Sequence, residues 1–244
     1  MNFTLLIHNT YKNLTLRPKK MKQLLYSIIF LMFSIFIFAQ NIYEESRYQL
    51  MINYKLNDRY SLSFQPEMRV NNFTEKTTIT LWRLLFIKKW NEKIHSHIGA
   101  DWFNNWYNYD IVSNELRAHL ETGFKDKYGK WTYLNRYRLD YRNYYTSQWE
   151  FEKSVVRIRY MMNWSRDLYH NENNGQKITL SLADEVFLNI AGTSHFNIYD
   201  QNRLGGYLVY KINSLFSIRS TYWWEYRGKN KYNHQWWIQL GFNF

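Results

Sequence analysis

The stretch ELRAHLETGFK, residues 115–125, alternates between two kinds of side chain. Charged residues such as Glu115 and Arg117 fall on one face, and apolar residues such as Leu116 and Leu120 fall on the other. Successive side chains of a β-strand point to opposite faces, so a period of two indicates a strand. The stretch therefore predicts a strand with one polar and one apolar face.

The same alternation returns in the two segments that follow, NRYRLDYR at 135–142 and VRIRYM at 156–161. Their polar positions are dense in arginine and carboxylate, and their other positions carry many aromatic side chains. A barrel with lipid outside and a charged lumen has this pattern. We therefore predict an all-β protein, a transmembrane antiparallel up-and-down β-barrel.

The composition agrees with this prediction. Aromatic residues make up 20% of the 244 residues, with 22 Tyr and 11 Trp, and such residues concentrate where strands leave a membrane. The mean hydropathy is −0.58, because lumenal polar residues cancel the lipid-facing apolar ones in an average along the chain. The chain has no cysteine, which excludes disulfide bonds and a thiolate metal site.

The formal net charge of +12 raises nucleic acid as a partner. The cations of this chain, however, alternate along strands and interleave with carboxylates instead of forming a basic helix or an exposed run. We therefore expect no nucleic-acid partner.

The N-terminal region has the features of an export signal. Basic residues at 19–22 precede an apolar run at 24–38, and Ala39 and Gln40 follow. The run is shorter than the roughly 20 residues that span a bilayer, so a signal is favoured over a membrane anchor. We predict an upstream extension at 1–20, a cleaved signal peptide at 21–40 and a barrel at 41–244. The expected location is the cell outer membrane, with its bilayer and lipopolysaccharide as partners.

Alternation marks eleven candidate strands after residue 45. They are 46–57, 60–71, 77–90, 94–106, 113–126, 131–144, 151–164, 177–189, 198–212, 215–227 and 234–244. Single-chain bacterial barrels have even strand numbers, so we expect about twelve strands, with ten as the next choice and a missed strand near 41–47.

The connections between these candidates alternate in length, as expected for short periplasmic turns and longer outer loops. Tight turns are expected at 57–59, 91–92, 127–129 and 213–214. Longer loops are expected at 107–112, 145–150, 190–197 and 228–233, and the segment 167–175 is long where a short turn is due.

The last candidate strand places Phe242 and Phe244 on its apolar face. An aromatic residue at the end of the last strand resembles the signal by which the barrel-assembly machinery recognises its clients. We assign Phe242 and Phe244 to that signal and expect this machinery as a partner. The alternative is a chain that happens to end in a core strand.

Several motifs after residue 113 resemble the DUF2490 family of outer-membrane barrels, which is common in Gram-negative bacteria of the Bacteroidetes type. They are NELR at 114–117, NRYRLDYR at 135–142, RIRY at 157–160, DEVFLN at 184–189 and DQNRLGGY at 200–207. The resemblance covers most of the chain after the signal. The resemblance implies an outer-membrane location and a β-barrel fold, and the family has no established activity that it could imply for this chain.

Projecting the strands inward predicts a charged lumen, whose residues are candidates for the functional site. The cationic candidates are Arg117, Arg136, Arg138, Arg142, Arg157, Arg159, Arg203 and Arg219. Their expected ion-pair partners are Glu115, Glu121, Asp140, Glu185 and Glu225. Further lumenal charges are expected at Glu67, Arg69, Arg83, Asp101 and Arg227.

The charges of residues 115–159 do not balance. At mid-barrel, Glu115, Glu121 and Asp140 face the first six arginines of the cationic set, which predicts unpaired guanidinium groups. Charges in a low-dielectric enclosure need partners or water, so water or a bound anion would compensate for the missing negative charge. We predict a narrow channel or a binding barrel for small anionic solutes. The alternative is a closed structural barrel filled by a ladder of ion pairs.

A second alternative is an outer-membrane enzyme that modifies or hydrolyses lipids. The candidate bases are His95, His97 and His119, with Asp101 nearby in sequence. Motifs such as G-x-S-x-G and H-E-x-x-H are absent. His95, His97 and Asp101 would span more than ~12 Å along one strand, too far for one metal ion. We therefore expect no catalytic site, no metal and no cofactor.

Overall fold

The computed structural model describes residues 43–71, 76–192, 198–227 and 232–244. These ranges form eleven β-strands. The strands are β1 (Tyr43–Lys55), β2 (Tyr60–Asn71), β3 (Lys76–Lys89), β4 (Ile94–Tyr107), β5 (Asp110–Tyr128), β6 (Trp131–Thr146), β7 (Phe151–Asn171), β8 (Gln176–Ala191), β9 (Tyr199–Lys211), β10 (Phe216–Tyr226) and β11 (Tyr232–Asn243). The predicted extension at 1–20 and signal peptide at 21–40 lie outside the described residues.

The strands close into one barrel in sequence order, and each strand pairs with its neighbours in the chain. All of these sequential pairs are antiparallel. The closing pair, β1 with β11, is parallel. An odd number of up-and-down strands closes only in this way, because the first and last strands then run in the same direction.

The prediction of twelve or ten strands is therefore wrong. It assumed that the closing pair is antiparallel, as in barrels with an even number of strands. The eleven candidate segments each correspond to one strand of the barrel. The strand expected near 41–47 does not exist separately, since its described residues form the start of β1.

Two connections are much shorter than predicted. The loop expected at 107–112 is a two-residue turn, in which Asn108 and Tyr109 have φ angles of 47° and 71°. Positive φ at both central positions is typical of a type I′ hairpin turn, whose twist matches that of the flanking strands. The segment 167–175 is mostly strand: β7 continues to Asn171 and pairs with β8 as far as Gln176.

Three hairpins at one end of the barrel share one turn structure. Asn57, Asn91 and Asn213 each accept two hydrogen bonds on the side-chain oxygen, from the backbone N–H groups two and three residues later. Asparagine favours such turns because its short side chain replaces a backbone acceptor. These turns close the β1–β2, β3–β4 and β9–β10 hairpins.

The outer surface of the barrel wall is apolar. Leu84, Ile98, Leu120 and Leu182 are 52–58% exposed there. The inside of the barrel holds the charged side chains, and fully buried examples are Asp140, Glu185 and Glu225. The described residues include no helix with the length and hydropathy of a membrane-spanning segment.

Candidate functional site

A cavity of about 490 Å³ lies inside the barrel, and arginine is the most frequent residue in its lining. The lining arginines are Arg47, Arg69, Arg83, Arg117, Arg136, Arg138, Arg142, Arg157, Arg159, Arg203, Arg219 and Arg227. The carboxylates that line it are Glu67, Glu115, Glu185, Glu225 and Asp200. The structure thus brings all the predicted cationic candidates to one cavity.

Glu185 of β8 is a centre of the charge network. Its carboxylate accepts hydrogen bonds from Arg136 at 2.5 Å, from Arg159 at 2.6 Å and from Arg203 at 2.7 Å. These arginines come from β6, β7 and β9, so one acidic side chain ties three strands to its own. Glu185 is 1% exposed, and its ionised form depends on these charge-assisted hydrogen bonds.

Asp140 of β6 and Asp101 of β4 form a second part of the network. Arg138 donates to Asp140 at 2.5 Å and to Asp101 at 3.3 Å, so its guanidinium bridges the two carboxylates. Arg157 donates two hydrogen bonds, at 2.9 and 3.1 Å, to the other carboxylate oxygen of Asp140. Arg83 holds Asp101 through two parallel hydrogen bonds, the fork geometry for which arginine is suited.

Glu115 of β5 forms a third part of the network. It lies toward the barrel end opposite the asparagine turns at Asn57, Asn91 and Asn213. Arg142 donates two hydrogen bonds to its carboxylate, at 2.8 and 3.0 Å. Arg117 donates to one oxygen of the same group at 2.7 Å. Glu121, by contrast, has cations only at 3.6 Å or more, from Arg136 and Arg138.

The expected unpaired guanidinium groups of residues 115–159 are not found. All six arginines of that segment have a carboxylate oxygen within 2.5–2.9 Å. The sequence count was wrong because it considered only three strands. Asp101, Glu185 and Asp200 reach the same arginines from β4, β8 and β9.

The first strand, β1, adds charges that the sequence reading missed. Glu45 and Arg47 of β1 are buried inside the barrel, and Arg47 donates to Glu45 at 2.5 Å. The alternation of Glu45, Arg47 and Gln49 has the same period as the later strands and was the available signal. Glu67 of β2, which was predicted, accepts a hydrogen bond from Gln49 at 3.2 Å.

Aromatic rings inside the barrel also contact the arginines. The Phe187 ring has the guanidinium carbons of Arg157, Arg159 and Arg203 at 4.5–5.0 Å from its centre. Arg117 lies 4.3 Å from the centre of the Phe103 ring. A ring face attracts a cation, so these rings hold the guanidinium groups in place without neutralising them.

Arg219 of β10 differs from the other predicted cations. Its guanidinium lies 4.8 Å from the centre of the Tyr207 ring, and its Nε atom has no hydrogen-bond partner. In the described part of the chain, no carboxylate lies within ion-pair distance of it. Glu225, the last predicted acidic partner, instead binds Arg227 and accepts hydrogen bonds from Gln201 and Gln235 at 3.1 Å.

The candidate bases His97 and His119 lie side by side in the lumen, with ring centres 5.4 Å apart. His97 Nε2 is 3.7 Å from Glu121, and His119 Nδ1 is 3.6 Å from Asp101. Neither nitrogen makes a hydrogen bond. Over the described ranges, no group of three or more His, Asp or Glu residues is placed to hold a metal ion.

Of the two residues of the predicted assembly signal, Phe242 lies on the outward side of β11 and Phe244 directly follows the strand. The ring centre of Phe242 is 5.2 Å from that of Phe216, and Phe244 is 63% exposed. The backbone of Phe244 exchanges hydrogen bonds with β1: it donates to Asn53 and accepts from Lys55, both at 2.8 Å.

A family model described as "Protein of unknown function (DUF2490)" matches residues 47–236. This range covers most of the chain, and it begins and ends within the barrel. The chain belongs to the DUF2490 family. The resemblance read from the motifs is thereby confirmed, and the DUF2490 match spans β1 to β11. Among curated proteins, no sequence matches the chain.

Proposed function

We propose that this DUF2490 chain is an outer-membrane β-barrel whose arginine-rich lumen binds or passes small anionic solutes. The outward apolar surface supports the membrane location. Leu84, Ile98, Leu120 and Leu182 are more than half exposed on different strands, and a soluble protein rarely exposes so many large apolar side chains around a whole wall. The strands are 11 to 21 residues long, and about 9–11 suffice to cross a bilayer.

Exposed aromatic side chains near both barrel ends also support this location. Trp90 and Tyr128, at the β3–β4 and β5–β6 turns, are 56% and 79% exposed. Tyr107 and Trp149, at the opposite end, are 69% and 45% exposed. Aromatic girdles at the two membrane interfaces are characteristic of transmembrane barrels, because the ring is apolar and its polar atom stays hydrated.

The observation that carries the anion proposal is the charge of the cavity. Twelve arginines line a space of about 490 Å³, against five carboxylates. Several buried carboxylates behind this lining, such as Asp101 and Asp140, reduce the difference, yet each one is shared by two or more arginines. The cavity surface therefore has a positive potential, which favours anions over cations.

The closed structural barrel remains the second candidate, and the dense pairing favours it. All six arginines of residues 115–159 are held by carboxylates, so the ladder itself stabilises the wall. A barrel of this strand number has a bore that side chains largely fill. We propose no catalytic step, because the described contacts of His97 and His119 are to carboxylates and to each other.

Reconstitution in planar bilayers under a salt gradient tests the proposal. We expect conductance, with a reversal potential shifted toward the equilibrium potential of the anion. Arg227→Glu reverses a charge at the cavity, where Arg227 is half exposed and pairs with Glu225 alone among the described carboxylates. We expect it to reduce the anion preference. Lys130→Glu, at an exposed turn outside the cavity, is the matched control. Absence both of conductance and of any anion-dependent melting shift would favour the closed barrel.

A further inference from the structure

We infer that the wall formed by β9, β10 and β11 is a binding site for one small oxyanion, such as a phosphate or carboxylate group. This inference rests on the proposed function, and it locates the anion within the lumen. The site consists of Arg203, Arg219, Thr221, Trp223 and Trp237, which we call the donor wall. All five line the cavity.

The donor wall holds a concentration of unused hydrogen-bond donors. Arg203 Nε, Arg219 Nε, Trp223 Nε1 and Trp237 Nε1 are buried and have no hydrogen-bond partner. The hydroxyl of Thr221 is likewise without one. Arg203 and Trp223 are each 5% exposed, and Thr221 is 2% exposed. Buried polar groups without partners are rare in native proteins, so a group that accepts these hydrogen bonds is expected here.

Register and ring contacts place these donors together. Thr221 pairs with Trp237 across β10 and β11, and Trp223 lies two residues further along the same face. The Trp223 and Trp237 ring centres are 6.3 Å apart. The guanidinium carbon of Arg203 is 5.3 Å from the first ring centre and 5.4 Å from the second. One small ligand can therefore reach several of the donors.

The chemistry of the donor wall favours an anion over a neutral ligand. An indole N–H only donates hydrogen bonds, and so does a guanidinium. Arg219 brings a positive charge that no described carboxylate neutralises. Arg203 already uses one nitrogen on Glu185 at 2.7 Å, which leaves its Nε directed elsewhere. An oxyanion has several acceptor oxygens and a compensating charge, and such charge-assisted hydrogen bonds are about twice as strong as neutral ones.

Water is the competing occupant, and one neighbour shows why it must be tested. Gln239, which also lines the cavity, has an unpartnered Oε1 atom, an acceptor that water would satisfy and an anion would not. The register places Gln239 opposite Arg219, at the edge of the donor wall. The donors outnumber this acceptor, and the charge of Arg219 favours the anion.

Calorimetric titration of the detergent-solubilised barrel with inorganic phosphate tests the site. Trp237→Phe and Trp223→Phe each delete one N–H group and retain an aromatic ring, and Arg219→Gln deletes the charge. We expect each to weaken phosphate binding at least tenfold, because hydrogen bonds to a charged group are about twice as strong as those between neutral groups. Trp224→Phe is the matched control, since Trp224 points outward and stacks on Tyr232.

The source of the oxyanion is distinguished by a second titrant. A water-soluble, short-chain phosphatidic acid carries the same phosphate on a glycerol backbone. Tighter binding of this lipid than of inorganic phosphate, lost in Trp237→Phe, would identify a headgroup as ligand, whereas equal or weaker binding would identify a free anion. Both results support the site.

Three results would overturn the inference. Phosphate binding that is equally tight in wild type and in the three donor-wall variants would place the anion elsewhere, while the proposed function would stand. Anion-selective conductance without phosphate binding would assign the unused donors to water. Absence of both binding and anion preference would remove the proposed function, and the inference with it.

Discussion

Leu50 of β1 lies directly opposite Leu240 of β11, and the two strands run in the same direction. The ten other strand pairs of the barrel are antiparallel, so this closing pair is the exception among the described strands. Parallel strands form evenly spaced, slanted hydrogen bonds and are slightly less stable per residue than antiparallel ones. A test of the β1–β11 register is therefore the most informative test of how the barrel closes.

Cysteine cross-linking tests this register. The natural chain has no cysteine, so Leu50→Cys with Leu240→Cys gives one defined pair. Adjacent strands lie about 4.8 Å apart, which is within the Cα separation that a disulfide bond spans. We expect mild oxidation to form the bond and to change the mobility of the denatured chain on a non-reducing gel. Leu50→Cys with Ile238→Cys, shifted by two residues, should cross-link less. Equal yields for both pairs would contradict the parallel register.

The proposed membrane location predicts a characteristic electrophoretic behaviour. A tagged copy should be found in the outer-membrane fraction and should migrate differently when heated and unheated, because a closed barrel resists detergent until it is heated. A soluble periplasmic protein, or one whose migration is independent of heating, would contradict the location.

Glu185→Gln should destabilise the barrel strongly. The substitution keeps the size of the side chain but removes the charge that Arg136, Arg159 and Arg203 share. Removing one member of a buried ion-pair network typically costs about 3–5 kcal/mol. Urea unfolding followed by tryptophan fluorescence measures the change, with Glu152→Gln on the exposed start of β7 as control. A loss of about 1 kcal/mol or less, the usual value for an exposed pair, would contradict the central position of Glu185.

Gly205→Ala should destabilise the β9–β10 pair. A Cβ atom at this position would clash with the backbone carbonyl oxygen of Tyr222 and would lie 2.9 Å from the Trp223 ring. Backbone cannot move aside as a flexible side chain can, so we expect a loss of about 1–3 kcal/mol in the same urea assay. Leu204→Ala, on the adjacent outward position, is the control. A neutral effect of Gly205→Ala would mean that the strands are further apart than described.

Phe244→Asp should lower the amount of folded barrel more than Asn243→Asp does. Phe244 points outward and is 63% exposed, whereas Asn243 forms a hydrogen bond with Asn53 at 3.0 Å. If the barrel lies in the outer membrane as proposed, a charge on the outward side would meet lipid or the assembly machinery, where charged groups are unfavourable. Surface protease digestion measures the folded fraction of each variant. Equal levels would contradict the assignment of Phe242 and Phe244 to an assembly signal.

Most of the wall was predictable from the sequence because one physical rule governs it. Each strand has apolar side chains at alternate positions and polar ones between them. The alternation predicts a strand at 60–71, and β2 begins at Tyr60 and ends at Asn71. The way the barrel closes was not predictable by this rule. Whether β1 meets β11 in parallel depends on long-range pairing, which a period of two does not encode.

The site was predictable as a set of inward residues, but its charge balance was not. Alternation identifies Arg136 and Glu185 as lumenal, yet they lie 49 residues apart and on strands that are not neighbours. Their contact depends on the width of the barrel. The unpartnered N–H groups of Trp223 and Trp237 were also not predicted. A tryptophan on a strand is usually assigned to the lipid interface, and the alternation does not show whether its N–H group has a partner.

The odd number of strands determines at which barrel ends the first strand begins and the last strand finishes. β1 and β11 begin at the same end of the barrel, so Tyr43 and Phe244 lie at opposite ends. In a membrane, a tag fused directly before Tyr43 and a tag fused after Phe244 would face different compartments. An antibody added to intact cells would then detect only one of them, and which one it detects would report the orientation of the whole barrel.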